Sequence, residues 1–184
     1  MHLQVVAQPD VDDALDAAIR ALQVAAFPRT AAFREHRFFR HRPRAGDLLV
    51  LAWEAERLAA EAALYWARAT QEAPHASCLA LACLGNICSD PRSDLRGAGY
   101  ASACVRRALD EGRRGGAAHA LLFCRRTLLR YYERFGFRTV DNAFRFTRPG
   151  GVTVASGHEH GMALALAEGA TWPRGSLELD VDDF

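Results

Sequence analysis

Lysine is absent from this 184-residue sequence, and all 23 of its basic residues are arginine. No lysine amine is therefore at hand as a nucleophile or a titrating base. The bias is read as codon composition: 22 acidic residues nearly cancel the arginines, the formal net charge is +1, and no recognition motif accompanies the arginines of residues 34–44. A nucleic-acid partner is not expected. Cysteine is sparse too. The five present are odd in number and form no Cys-x-x-Cys pair, which argues against a disulfide framework or a zinc site, so no metal is expected and they read as small core residues. No secretory leader is expected, because residues 1–7 run straight into a strand-like pattern and residues 10–13 are acidic, and a cytoplasmic location is expected with it. The apolar run at 78–88 is too short to cross a membrane, and no membrane partner is expected. What is present is a 50% hydrophobic composition, which at this length and charge supports one domain over residues 1–184 with a sizeable core.

The chemistry concentrates in residues 90–101, where Arg96-Gly97-Ala98-Gly99-Tyr100-Ala101 closes a loop. Gly97 and Gly99 can adopt positive φ and carry no Cβ, so successive backbone N–H groups can converge on one anion while a following helix adds the positive end of its dipole. The flanks supply the strand and the helix. Residues 78–88 read as a strand buried on both faces, and Ala101, Cys104, Val105, Ala108 and Leu109 recur at helical spacing. Residues 117–124 then read as a second buried strand and residues 128–134 as a short helix ending at Gly136. Before the loop the pattern predicts a strand at 3–7, a helix at 11–27 stopped by Pro28, and a second helical stretch at 30–41 stopped by Pro43. Strands at 48–54 and 58–69 form a hairpin around Ala55-Glu56, and closing strands are expected at 137–146 and 162–166.

Arg96-Gly97-Ala98-Gly99 and, later, Tyr132-Glu133-Arg134-Phe135-Gly136-Phe137 resemble the acetyl-CoA loop and the closing helix of the GCN5-related N-acetyltransferase superfamily, over roughly residues 46–166. The resemblance implies an α/β (α+β) fold: a mixed, mostly antiparallel twisted sheet with helices on both faces, splayed at the central cofactor strand. Gly85 is the expected bulge residue of that strand. The implied activity is acetyl-CoA-dependent N-acetyl transfer to the primary amine of a small molecule. Ile87, Cys88, Ser89, Arg96, Gly97, Ala98, Gly99, Tyr100 and Ala101 are the implied cofactor contacts, with a backbone N–H of Cys88 or Ser89 polarising the thioester carbonyl. Two departures from the family pattern stand out: the spacing from Pro91 to Arg96 is longer than usual, and Arg125 stands where many members have Asn.

Acetyl transfer needs a neutral amine, a donor for the developing oxyanion and a proton for the departing thiolate. Tyr132 is the implied acid; a phenol with an ordinary pKa of about 10 stays protonated at neutral pH. Tyr131 is its rival. The cofactor strand has Cys83, Leu84, Gly85 and Asn86 where related enzymes often carry a glutamate, so the proton acceptor is sought elsewhere: Glu61 first, then Asp90 or the acidic tail through water. The plain alternative for Glu61 is a side chain pointing to solvent from a sheet edge. Phe33, Phe38 and Phe39, set among Arg34, Arg37 and Arg40, read as a helix packing on the sheet or covering the acceptor. Cys88 and Cys124 lack a paired histidine, and His158-Glu159-His160 reads as a polar loop, not a metal site.

The tail resembles, in Trp172-Pro173-Arg174-Gly175-Ser176-Leu177, the aminoglycoside 2′-N-acetyltransferases and the nodulation-factor N-acyltransferases, which suggests an amino-bearing small molecule as acceptor. Leu177, Leu179 and Val181 alternate with Glu178, Asp180 and Asp182, the two-residue period of an extended segment with one apolar face. The tail is thus expected to dock, either bordering the acceptor cleft with its acids or sealing the core or a homodimer contact. A catalytically degenerate acyl-CoA-binding sensor or scaffold module is the alternative to an enzyme.

Overall fold

Asp12 opens the first helix of the chain by accepting the backbone N–H of Leu15 at 2.8 Å, and the helix stops at Phe27, just before Pro28. The computed structural model describes residues 1–38, 42–71, 78–92, 94–95, 97–148, 152–157 and 160–181. Along the chain the elements are β1 (His2–Ala7), α1 (Asp13–Ala26), β2 (Leu48–Glu54), β3 (Arg57–Gln71), β4 (Cys78–Ser89), α2 (Tyr100–Arg114), β5 (His119–Cys124), α3 (Leu129–Glu133), β6 (Arg138–Val140), β7 (Phe144–Arg148), β8 (Val152–Ala155), β9 (His160–Ala165) and β10 (Leu177–Leu179). This is a mixed α/β fold with a mostly antiparallel sheet, as the sequence led us to expect. Among the described residues no helix is long and apolar enough to cross a membrane.

The chain divides into two units, residues 1–65 with 84–108 and residues 66–83 with 109–184, so β3, β4 and α2 each contribute to both. In the first unit β1 pairs antiparallel with β2 from His2↔Trp53 to Ala7↔Leu48, and β2 with β3 from Leu48↔Leu64 to Glu54↔Arg57. The two-residue turn at Ala55-Glu56 puts Ala55 at φ 51°, the left-handed conformation that tight hairpins demand. Leu49, Val50 and Leu51 on β2 and Ala59, Ala60, Ala62 and Ala63 on β3 are sealed from solvent. Ile19 and Leu22 of α1 are buried as well. The second helical stretch expected at 30–41 does not form: a single 3₁₀ turn covers Ala31–Arg34, and residues 35–38 are irregular. The reason is a competing anchor, because the Arg37 guanidinium bonds Gln8 and Asp16 and holds the backbone away from a helical path. Phe33 is buried against Phe27 and Phe38 stacks on His36, while residues 39–41 lie outside the described residues.

The second unit orders its strands β6-β9-β5-β4-β3-β10-β7-β8. One strand was expected at 137–146; two form, β6 and β7, because residues 141–143 leave the sheet. There Asn142 is taken up by the tail, accepting the Trp172 indole N–H at 2.6 Å and donating to Pro173 O at 3.0 Å and Gly175 O at 2.7 Å. The tail then becomes an interior strand. β10 lies between β3, antiparallel with Leu179↔Ala69, and β7, parallel with Leu179↔Phe146. Leu177, Leu179 and Val181 are all fully buried. Glu178 accepts the Thr147 hydroxyl at 2.5 Å and Asp180 the Arg68 backbone N–H at 2.7 Å, so these two acids serve the strand itself. Residues 182–184 lie outside the described residues.

Asn142 is the clasp of this arrangement. Asn142→Ala removes its hydrogen bonds to Trp172, Pro173 and Gly175 and should cost about 2 kcal/mol. Calorimetry should read this as a fall in Tm of about 4–8 °C. An unchanged Tm would mean that β10 pairing alone secures the tail.

Candidate active site

In the first unit the loop between β4 and α2 has the conformation that an anion cradle needs. Gly97 sits at φ 79° and Gly99 at φ 88°, and a Cβ on either would meet nothing within 4 Å, so the space over both is open. Leu95 N–H turns back to Arg92 O and Ala98 N–H to Leu95 O, while Ala103 N–H reaches back to Gly99 O. The loop leads into α2, a 15-residue helix whose N-terminus carries the positive end of its dipole. Arg96 and Ser93 lie outside the described residues.

Paired charges fix the loop at both ends. Asp90 accepts the Arg92 backbone N–H at 3.0 Å and its Nε at 2.8 and 2.9 Å, and Arg57 Nη2 bonds Asp94 at 2.7 Å. The Arg92 and Arg57 guanidinium groups hold the carboxyls of Asp90 and Asp94 below the usual range. At the far end the Tyr100 hydroxyl donates to Glu54, which lowers the Glu54 carboxyl and raises the phenol. Tyr100 is thus a buried anchor through its side chain. At the strand end, Ile87 and Ser89 are half-buried and Cys88 is buried. Asp90, bound to Arg92 and tied to Ala59 O by its N–H, is engaged in holding the loop and makes a poor proton acceptor.

Within β4 the residue in the left-handed region is Asn86, at φ 49°. Asparagine tolerates the left-handed region because its short amide can bond locally, and Asn86 Nδ2 donates to Tyr65 Oη at 3.2 Å and to Arg37 O at 3.5 Å. The same face of the unit holds Glu61. It is not an edge side chain: β3 runs between β2 and β4, and Glu61 is 0% exposed. Gln23 Nε2 donates to Glu61 Oε1 at 2.6 Å, Cys88 Sγ approaches the same oxygen at 3.8 Å, and Oε2 has no partner. Burial pushes the Glu61 carboxyl up from 4.5 to about 8, against the pull of the Gln23 hydrogen bond. Burial and the neighbouring Glu61 also drive the Cys88 thiol upward, which removes it as a nucleophile. Arg37 closes the cluster: its Nη1 bonds Asp16 at 2.9 Å, its Nε and Nη2 bond Gln8 at 3.1 and 2.9 Å, and its carbonyl accepts Gln23 Nε2 at 2.8 Å. Against its own burial, Asp16 is held low by Arg20 and Arg37. Gln23, Arg37, Tyr65 and Asn86 were not singled out as a group from the sequence. The available signal was a glutamine among Ile19, Leu22 and Ala26 on the apolar face of α1.

In the second unit Tyr132 is buried on α3, with its ring 4.9 Å from Tyr131 and 6.2 Å from Phe137. Tyr131 is half-buried, with its ring 5.4 Å from Phe135 and the Arg134 guanidinium 4.9 Å above it. His158 and Glu159 lie outside the described residues.

A family model described as an acetyltransferase (GNAT) domain matches residues 6–140. No curated protein matches the chain in sequence. Solved structures share the fold. Escherichia coli ElaA is 16% identical with a TM-score of 0.60, the match covering 88% of this chain and 97% of that one. An acyl-CoA N-acyltransferase from Pseudomonas aeruginosa is 19% identical with a TM-score of 0.59, covering 89% and 99%. A GNAT family acetyltransferase from Brucella melitensis in complex with acetyl-CoA is 20% identical with a TM-score of 0.56, covering 96% and 94%.

The state of Glu61 can be read in stability. With a folded pKa of about 8 against 4.5 for an ordinary carboxyl, the native protein keeps a proton that the unfolded chain releases. Stability should therefore decline as pH rises through that interval, and the decline should be complete above about pH 8. Glu61→Gln should flatten this part of the profile and be the more stable protein at about pH 9. Urea unfolding at about pH 5, 7 and 9 checks it: parallel profiles for the two proteins would show that Glu61 ionises normally.

Proposed function

Because this chain belongs to the acetyltransferase (GNAT) family, we propose that it transfers an acetyl group from acetyl-CoA to the primary amine of a small molecule. The observation that carries the reading is the Gly97–Gly99 loop, with two positive-φ glycines and open space above them at the start of α2. A pyrophosphate suits such a cradle, and the acetyl-CoA bound by the Brucella melitensis protein supports that choice. Gly97, Ala98, Gly99 and Ala101 offer backbone, Tyr100 anchors the loop, and Arg96 adds a cation; Ile87, Cys88 and Ser89 line the pantetheine arm, with a backbone N–H of Cys88 or Ser89 on the thioester carbonyl. Bound acetyl-CoA supplies the activated acyl group.

The chain's own task is proton management. As the amine nitrogen bonds the acyl carbon and the carbon–sulfur bond breaks, Tyr132 gives its phenolic proton to the departing sulfur and regains one from solvent. The amine's proton passes through water to Glu61, which returns it to solvent, so the products are an N-acetyl amine and free CoA thiol. Full burial of Glu61 makes it a relay terminus and not a group in contact with the amine. The same burial favours, as the second reading, a module that binds acyl-CoA without turnover.

Two substitutions separate these roles. Gly99→Val forces a β-branched residue to positive φ and puts methyl groups where the pyrophosphate would lie, so acetyl-CoA affinity should fall about tenfold or more by calorimetry. Unchanged affinity in a folded protein removes the cradle assignment. Tyr132→Phe should keep acetyl-CoA binding and lose on the order of 10²-fold in turnover, assayed against a panel of primary amines. Normal turnover by Tyr132→Phe with loss in Tyr131→Phe would move the role to the neighbour, and acetyl-CoA binding without acceptor-dependent CoA release by the parent would favour the binding module.

A further inference from the structure

We propose that Gln23 is a positioning residue for Glu61, selecting which carboxyl oxygen takes the proton and linking that choice to the segment around Arg37; this rests on the reading of Glu61 as proton acceptor. The argument starts from cost. An amide at zero exposure on the apolar face of α1 is unfavourable unless its hydrogens are used, and a leucine would fill the place without that demand. Both amide hydrogens of Gln23 are used: Nε2 lies 2.6 Å from Glu61 Oε1 and 2.8 Å from Arg37 O. The amide therefore bridges β3 and the irregular segment at 35–38. That segment is set from its other side as well, since the Arg37 guanidinium holds Asp16 and Gln8, and Asn86 Nδ2 shares the Arg37 carbonyl at 3.5 Å.

The consequence lies in the two carboxyl oxygens. Oε1 is engaged by Gln23 and by the Cys88 thiol, whereas Oε2 is buried and has no partner. A proton arriving at Glu61 is thereby directed to Oε2, and the Gln23 donor stabilises the ionised form that must precede it. The titratable and charged groups acting on this cluster are Cys88, Cys104, Tyr65, Asp47 and the Arg37 guanidinium. The thiols and the phenol are all raised by burial and stay neutral near pH 7, so the Gln23 amide, then the Cys88 thiol hydrogen bond and the Arg37 charge, are what favour the Glu61 carboxylate.

Gln23→Met keeps the volume and removes the donor. The acidic limb of kcat against pH should move to higher pH by about one unit, and the acceptor KM should rise as the Arg37 carbonyl loses its amide, with acetyl-CoA Kd unchanged. A merely structural glutamine would lower the amount of active protein and leave the limb where it was. Should Gln23→Met not fold, Gln23→Glu serves: a second carboxyl beside Glu61 also moves the limb to higher pH, because like charges resist ionising together. An unmoved limb in the variant that folds, alongside a Glu61→Gln protein that has lost the limb, overturns the positioning role. A Glu61→Gln protein that retains the parental limb and rate overturns the proton-acceptor reading, and this proposal with it.

Discussion

A carboxyl sealed inside a sheet must either stay neutral or find donors, and Glu61 meets this constraint in the middle of β3. Much of the first unit follows from how it is met. The helix α1 places a glutamine where apolar packing would have been simpler, the irregular segment at 35–38 presents a carbonyl to the same amide, and β4 turns Asn86 into the left-handed region beside them. Arg37 ties this arrangement outward to Gln8 and Asp16, with partners 29 and 21 residues away in sequence. Glu61 Oε1 thus has its donor from α1, while the Arg37 bonds to Gln8 and Asp16 hold the stretch after Ala31–Arg34 unwound.

The loop between β4 and α2 is shaped by a different device. Its glycines supply the backbone geometry, but its position is fixed by side chains: the ion pairs Arg57–Asp94 and Arg92–Asp90, and the hydrogen bond from the Tyr100 hydroxyl to Glu54. Two of these partners, Glu54 and Arg57, flank the β2–β3 turn, so a tight hairpin and the loop share one support. Asp94, Asp90 and Glu54 are each taken up by a partner in this way.

The second unit solves the problem of a polar tail. Leu177, Leu179 and Val181 present one apolar face, and insertion between β3 and β7 buries it while pairing the backbone on both sides. Glu178 and Asp180 then find partners in Thr147 and in the Arg68 backbone. The Trp172-to-Gly175 segment reads naturally in this light: its indole and its carbonyls are what Asn142 holds.

Local pattern carried most of the architecture. Gly97 and Gly99 in front of a helical repeat, the alternation of the tail and the Tyr132-to-Phe137 motif were legible from the residues alone, because turn geometry and the periods of 2 and 3.6 are properties of neighbouring residues. That much determined most of the strands and helices along the chain and the family. The burial of Glu61 was decided only by folding, since whether a glutamate amid alanines faces solvent or core depends on strands and a helix packed from elsewhere. Gln23 lies 38 residues from Glu61 and Asn86 lies 49 from Arg37, separations at which no local period carries information. The place of the tail was settled the same way: its apolar face was written in the sequence, but the pairing of Leu179 with Ala69 on one side and Phe146 on the other exists only once β3 and β7 stand apart to receive it.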